Sequence, residues 1–262
     1  MQFKDDNIYK VAQDNSPFKF NKQVASVFPD MIGRSVPGYQ SVINMIEQLA
    51  GRYVKEKTNC YDLGCSLGEA SLAMDRGIAN ADTANSDISS VDRSSSEVSS
   101  PEITIVSVDN STAMLDRCQL HLDCYKHHSS IWLKCEDILT TKIENASMVV
   151  LNYTLQFIPI EKRKFLINTI FEGLNDGAIL IISEKISFLD QQVNQLFIEL
   201  HHQFKKDNGY SDLEISQKRN ALENVLIPET LESHIYRMVN AGFKHVNCWQ
   251  QHLNFASFIA IK

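Results

Sequence analysis
The sequence has no long apolar run. Its longest aliphatic stretches, Met148 to Leu151 and Ala178 to Ile182, fall far short of the roughly 20 residues that span a bilayer. It has no excess of positive charge either: 25 Lys and Arg stand against 32 Asp and Glu, a net −7 with a pI near 5.6. That balance gives no general attraction for nucleic acid or an anionic membrane, so small substrates are the better expectation. The six cysteines include no C-x-x-C pair. In a reducing compartment they are free thiols packed as small apolar groups. Cys118, His121 and Cys124 match no common zinc spacing, and the adjacent pairs His127-His128 and His201-His202 do not converge on one ion, so no metal is expected. The first ten residues lack the apolar core of a secretion signal, which points to the cytosol. No internal repeat is visible.

What remains is ordinary for a soluble globular protein. Of 262 residues, 44% are hydrophobic, 9% aromatic and 22% charged, which excludes collagen-like, coiled-coil and wholly disordered chains. Short apolar runs at Cys60–Leu63, Ile103–Val108, Ile131–Cys135, Met148–Leu151 and Ala178–Ile182 read as strands. Helical patterns lie between them at Glu69–Ile78, Ala113–Tyr125 and Ile160–Leu174. Such alternation predicts an α/β fold with a mostly parallel sheet covered on both faces. His245–Gln251 and Phe255–Ile261 are too close in sequence for a crossover helix and should pair antiparallel.

Residues 1–54 form an expected N-terminal helical cap, broken at Pro29 and at Pro37-Gly38, ahead of a domain over 55–262. A helical insertion is expected over 190–228, with helices at Val193–Lys206 and Pro228–Ala241. From Ala79 to Pro101 the chain holds eight serines and four acids. It has too little apolar surface to offset its ordering entropy, so a solvated loop is expected there. A phosphorylated serine cluster is the alternative.

Ligands of such sheets gather beyond the carboxyl ends of the strands. The first strand leaves through Asp62-Leu63-Gly64-Cys65-Ser66-Leu67-Gly68, a turn in which Gly64 allows close backbone approach to a ligand. Ser66 stands where a dinucleotide fingerprint has its middle glycine, so a plain tight turn competes with that reading. The second strand ends at Asp109-Asn110. An acid there can accept both hydroxyls of a ribose, while Asn110 or Ser111 can equally cap a helix. The third ends in Glu136-Asp137-Ile138, suited to an adenine amino group or to another cap. The fourth ends in Asn152-Tyr153-Thr154, where Asn152 suits an amino-acid moiety or a structural turn.

Together these four ends describe a nucleoside bound across the sheet, as in class I S-adenosylmethionine-dependent methyltransferases, whose Rossmann-like fold the chain resembles. Four stretches sharpen the likeness: Phe28 to Tyr39, Tyr61 to Ser66, Glu144 to Asn152 and Gly209 to Arg219. On these residues the chain resembles the carboxy-S-adenosyl-L-methionine synthase family from about Phe20 to Lys262. The resemblance implies that prephenate carboxylates the methyl group of S-adenosyl-L-methionine, yielding carboxy-S-adenosyl-L-methionine and phenylpyruvate. The product would serve a tRNA-modifying carboxymethyltransferase acting on the wobble uridine (cmo5U34). By the same resemblance Tyr39 closes over the cofactor, and Gly64, Cys65 and Ser66 line its amino-acid end. Asp109 and Asn110 hold the ribose, Asp137 and Ile138 frame the adenine, and Asn152 completes the site. Arg219 grips the new carboxylate from the neighbouring subunit of a homodimer. On its residues alone, a solvated helix charge is the alternative for Arg219. Two rivals share the cofactor site: a conventional methyltransferase on a small molecule or tRNA, and a non-catalytic carrier. Arg219 in its motif and the acidic surface speak against the first, and phenylpyruvate formation would exclude the second.

Overall fold
Strands that are apolar on both sides need cover on both faces. The computed structural model describes residues 4–11, 17–88 and 102–262. Helices α1 (Lys22–Ser35) and α2 (Tyr39–Tyr53) come first. Then follow β1 (Asn59–Leu63), α3 (Glu69–Ile88), β2 (Thr104–Asp109), α4 (Thr112–Leu122) and β3 (Ser130–Cys135). Next come β4 (Ala146–Asn152), α5 (Ile160–Gly173), β5 (Leu174–Ser187), α6 (Gln191–Asp207) and α7 (Asp212–Leu222). The chain closes with β6 (Glu229–Thr230), α8 (Leu231–Ala241), β7 (His245–His252) and β8 (Phe255–Ile261).

The strands lie in the order β3-β2-β1-β4-β5-β8-β7, with β6 beside β5. Pairing is parallel from β3 to β5, and β8 runs antiparallel to both β5 and β7. Strand order therefore reverses between β1 and β4, where open α/β sheets form their ligand crevice.

Period-two alternation sorts the core. In β4, Val149 and Leu151 pack with Leu166 and Ile170 of α5 and Met238 of α8. Met148 and Val150 face the other way, onto Ile43 and Ile46 of α2 and Ala73 and Met74 of α3. A Cβ on Gly77 would lie 2.0 Å from the Glu47 carbonyl oxygen, so only glycine lets α2 and α3 approach so closely.

Three expectations are corrected. α1 runs unbroken through Pro29. Proline removes one backbone donor, but buried Val24, Val27 and Met31 pack with Ile8 and Phe18 and hold the helix together. The expected loop from Ala79 is helical as far as Ile88, while 89–101 lies outside the described residues. Alanines at 79 and 81 favour helix, and Asp82 ties this extension to His128 Nε2 at 2.7 Å. Finally, β5 starts at Leu174 rather than Ala178, because Leu174 pairs with Ala146 and the residues up to Ile179 bulge out of the ladder.

Candidate active site
A cavity of about 580 Å³ opens at the carboxyl ends of β1 to β4, within the range of small-molecule sites. Its floor is the turn after β1. Gly64 and Cys65 donate backbone N–H bonds to the Val108 carbonyl at 2.8 and 2.9 Å, folding the turn over β2. Gly64 has φ +82°, and a Cβ there would stand 2.3 Å from Thr154 Oγ1. The turn thus requires glycine twice over, for its left-handed backbone and for the approach of β4's exit.

Asp109 closes β2 and fixes that turn. Its Oδ2 accepts from Ser66 N at 3.0 Å, and its Oδ1 accepts from Ser111 N at 2.9 Å. Each carboxylate oxygen keeps a lone pair for a further donor, such as a ribose hydroxyl. Burial raises the Asp109 pKa, against the pull of the Ser111 and Ser66 amides. Ser111, not Asn110, caps α4 by accepting from Met114 N, so ribose contact and helix capping do not compete for one residue. Asp62 is buried deeper and pushed up to about 6 by that burial, although it accepts from Ser71 N and Ser71 Oγ.

At the end of β3, Asp137 is exposed and Ile138 buried. Asp137 Oδ1 accepts from Leu139 N at 2.9 Å in a turn that leads into no helix among the described residues, so Asp137 shapes a turn of the cavity wall and caps nothing. Past β4, Asn152 Oδ1 and, in the β1 turn, Ser66 Oγ are buried with no hydrogen-bond partner among the described residues. A buried acceptor left unpaired costs about 1–3 kcal/mol, which suits a site completed by a ligand's N–H groups. Tyr39 opens α2 behind Gly38, at φ +77°. Its ring lies 6.0 Å from that of Tyr153, which in turn packs edge-on to Phe255. These donors, acceptors and aromatic walls fit an adenosyl compound with an amino-acid tail.

Of the ten residues predicted for the site, nine line this cavity. Arg219 does not. It is exposed on α7, and its neighbour Lys218 points inward instead.

Sequence reasoning missed the other side of the cavity, where Lys185 of β5, His201 and Lys205 of α6, and Lys218 of α7 gather. Lys218 Nζ donates to Ser35 Oγ at 3.0 Å and lies 3.8 Å from buried Asp6 Oδ2, which also accepts from Tyr210 Oη. Among the described residues, no hydrogen bond or ion pair engages the Lys185 or Lys205 ammonium. Burial, then the charges of Lys218 and Lys185, pushes Lys205 down to about 7. Burial also pushes Lys218 down to about 8, partly opposed by Asp6. Lys185 is lowered by burial and by Arg219. His201 donates from Nε2 to the Ser35 carbonyl at 2.8 Å and is held neutral, pushed down to about 2 chiefly by burial and by Lys205. The readable signal was His201 and Lys205 at i and i+4, on one helix face. Lys185 was hidden because the fifth strand extends past Ile182.

Among the described residues, no cluster of three or more His, Cys, Asp or Glu is placed to hold a metal, and no helix is long and apolar enough to cross a membrane. No family model matches the chain. Among solved structures, human N-acetylserotonin methyltransferase in complex with SAM aligns over 92% of this chain and 55% of its own, with TM-score 0.56 and 12% identity. Magnesium protoporphyrin IX methyltransferase from Synechocystis, with bound SAH, aligns over 88% and 87%, with TM-score 0.55 and 11% identity. These likenesses show the class I methyltransferase fold. Carboxy-S-adenosyl-L-methionine synthases are much nearer. That of Pseudoalteromonas atlantica is 48% identical over 262 residues, all of both chains. Those of Shewanella oneidensis and Idiomarina loihiensis are 48% identical over all of both chains and 46% identical over 94% of each. Identity of that extent, carried on this fold, places the chain in the carboxy-S-adenosyl-L-methionine synthase family.

Proposed function
We propose that this protein is a cytosolic transferase that converts S-adenosyl-L-methionine and prephenate to carboxy-S-adenosyl-L-methionine and phenylpyruvate. Its product would be used by a carboxymethyltransferase acting on wobble uridine. The observation that carries this reading is the full-length match to synthases of that name, the segment of α6 and α7 included. Solved methyltransferases resemble the chain at only 11–12% identity in the pairs compared.

S-adenosyl-L-methionine supplies a methyl group acidified by the adjoining sulfonium. The chain's own residues bind and shield. Asp109 accepts the ribose hydroxyls, Asn152 Oδ1 accepts from the amino-acid ammonium, and Ile138 and Asp137 border the adenine. Tyr39, Tyr153 and Phe255 wall the cavity against bulk water, an effect worth several kcal/mol in reactions that water would quench. Among the described residues no histidine–carboxylate pair lines the cavity, which suits a reaction whose acid–base groups come from the second substrate.

Arg219 fits the reading as a residue supplied by a second copy. It is exposed on α7, beside α6, whose Val193, Leu196 and Leu200 form an exposed apolar stripe at helical spacing. A homodimer through this surface would cover the stripe and carry Arg219 to the other copy's cavity.

Incubation of the purified protein with both compounds tests the reaction. Mass spectrometry should find a species heavier than S-adenosyl-L-methionine by one carbon dioxide, with equimolar phenylpyruvate. Binding without phenylpyruvate, or turnover to S-adenosylhomocysteine alone, would refute it.

A further inference from the structure
Three ammonium groups share the β5 side of the cavity, and among the described residues only one has a fixed acidic neighbour. Lys218 is matched by Asp6, and Arg34 by Asp30 at 2.8 Å. Lys185 and Lys205 are left over, from different elements, in a wall where His201 is neutral. A buried ammonium with no partner is costly, and two together are costlier through repulsion. Such a pair persists in a fold when something else brings the opposite charge. The opposite side of the cavity, with Asp62, Glu69, Asp109, Glu136 and Asp137, is acidic, as suits a cationic sulfonium compound. The two sides therefore take ligands of opposite sign.

We propose that Lys185 and Lys205 each bind one carboxylate of the second substrate, so that the cavity is built for a dianionic carboxylic acid, with Lys218 and Asp6 as a neutral floor beneath it. The assignment presupposes the reaction proposed for the chain and adds the substrate's binding groups. It also separates substrate from product. Prephenate carries two carboxylates and phenylpyruvate one, the other having left as carbon dioxide. After reaction one of the two lysines again lacks a partner, and the product is held more weakly than the substrate.

Calorimetric titration of the full chain, without S-adenosyl-L-methionine so that nothing turns over, tests this with prephenate, phenylpyruvate and malonate as probes. Lys185→Gln and Lys205→Gln are the informative variants, since replacing Lys218 would strand Asp6. A charge-assisted hydrogen bond lost at either site should weaken prephenate by roughly tenfold to a hundredfold. Phenylpyruvate should lose affinity in one variant only, and Lys205→Arg should restore prephenate binding. Affinity for S-adenosyl-L-methionine, titrated separately, should be unchanged in all three and reports that the fold is intact. Prephenate binding as tightly to both glutamine variants as to the parent would overturn the assignment while leaving the proposed reaction standing. A parent chain that ignores prephenate but binds malonate, with that affinity lost in both variants, would support the dianion site and remove the proposed substrate. A parent chain that binds neither dianion would overturn the site.

Discussion

The two sides of the cavity recognise by different means. On the β1–β3 side, position is set by backbone: Gly64 and Ser66 hold positive φ values of +82° and +53°, and Asp109 is pinned by two amides. On the β5 side, long side chains from three elements converge, and two of them are pinned by nothing among the described residues. The first side is organised before any ligand arrives and selects by shape and hydrogen-bond pattern. The second selects by charge, and its charge state is adjustable near neutral pH. Errors in the backbone side should therefore be close to all-or-none, and errors in the lysine side graded.

Gly64→Ala probes the first half of that contrast and should have the largest effect. The new methyl would fall 2.3 Å from Thr154 Oγ1 at a left-handed φ. Forcing an L-residue there costs about 1–2 kcal/mol and overpacking about 1–3 more. Affinity for S-adenosyl-L-methionine, measured by calorimetry, should fall by roughly thirtyfold or more on the usual free-energy scale. Adding Thr154→Gly removes the clash but not the strained backbone, so it should recover only part of the loss. A fall of less than about tenfold would break the contrast by showing that this side also tolerates adjustment.

The same division explains what could be read in advance. Backbone-built features leave short, local signatures: a glycine turn after an apolar run, or an acid closing the next run. Gly64, Asp109 and Asn152 were legible for that reason, as was the strand order's parallel core. The lysine side has no local signature. Lys185, Lys205 and Lys218 are far apart in sequence, each ordinary for a solvated helix or strand end. Only the packing of α6 against α1, and of α7 against α1 and the N-terminal segment, brings Lys205 and Lys218 to the cavity that Lys185 reaches from β5. Pro29 misled for a related reason, since its local rule was overridden by the burial of Val24, Val27 and Met31. The residues 79–88 misled because their composition reads as loop, while tertiary contacts such as Asp82 with His128 support helix.

Arg219→Ala asks whether the charge-selecting side draws on a second copy. Arg219 is absent from its own chain's cavity wall. If another copy's guanidinium completes the site, the variant should bind carboxy-S-adenosyl-L-methionine roughly tenfold more weakly, one charge-assisted contact being lost. Its affinity for unmodified S-adenosyl-L-methionine should stay as it was. Diluting the parent protein until sedimentation shows monomer should reproduce the same loss. Discrimination between the two compounds that survives both the substitution and the dilution would confine the site to one chain.

The gentlest probe is pH, because it changes the lysine side and spares the other. Lys205 faces Lys185, His201, Lys218 and its partner Asp6, with Arg34 and Arg219 adding charge from α1 and α7. In the ligand-free fold Lys205 titrates at about 7 and Lys218 at about 8, each well below the ordinary 10.5. Between those values and 10.5 the unfolded chain holds more protons, so the empty fold gains stability as pH rises across that window and loses it as pH falls from 10.5 toward 8 and 7. Anion binding runs the other way, since the ammonium charges it needs vanish over the same interval. From pH 7 to 9, prephenate affinity should therefore drop by about tenfold while the melting temperature of the empty protein holds or climbs. His201, pushed down to about 2, stays neutral throughout, and Asp62, at about 6, is already ionised above pH 7. Affinity for S-adenosyl-L-methionine should accordingly be flat over this window, and Lys205→Gln should flatten the prephenate profile too. A parallel decline for both ligands would mean that the two sides are not independent, because a charge lost at the lysines would then be felt at the nucleoside.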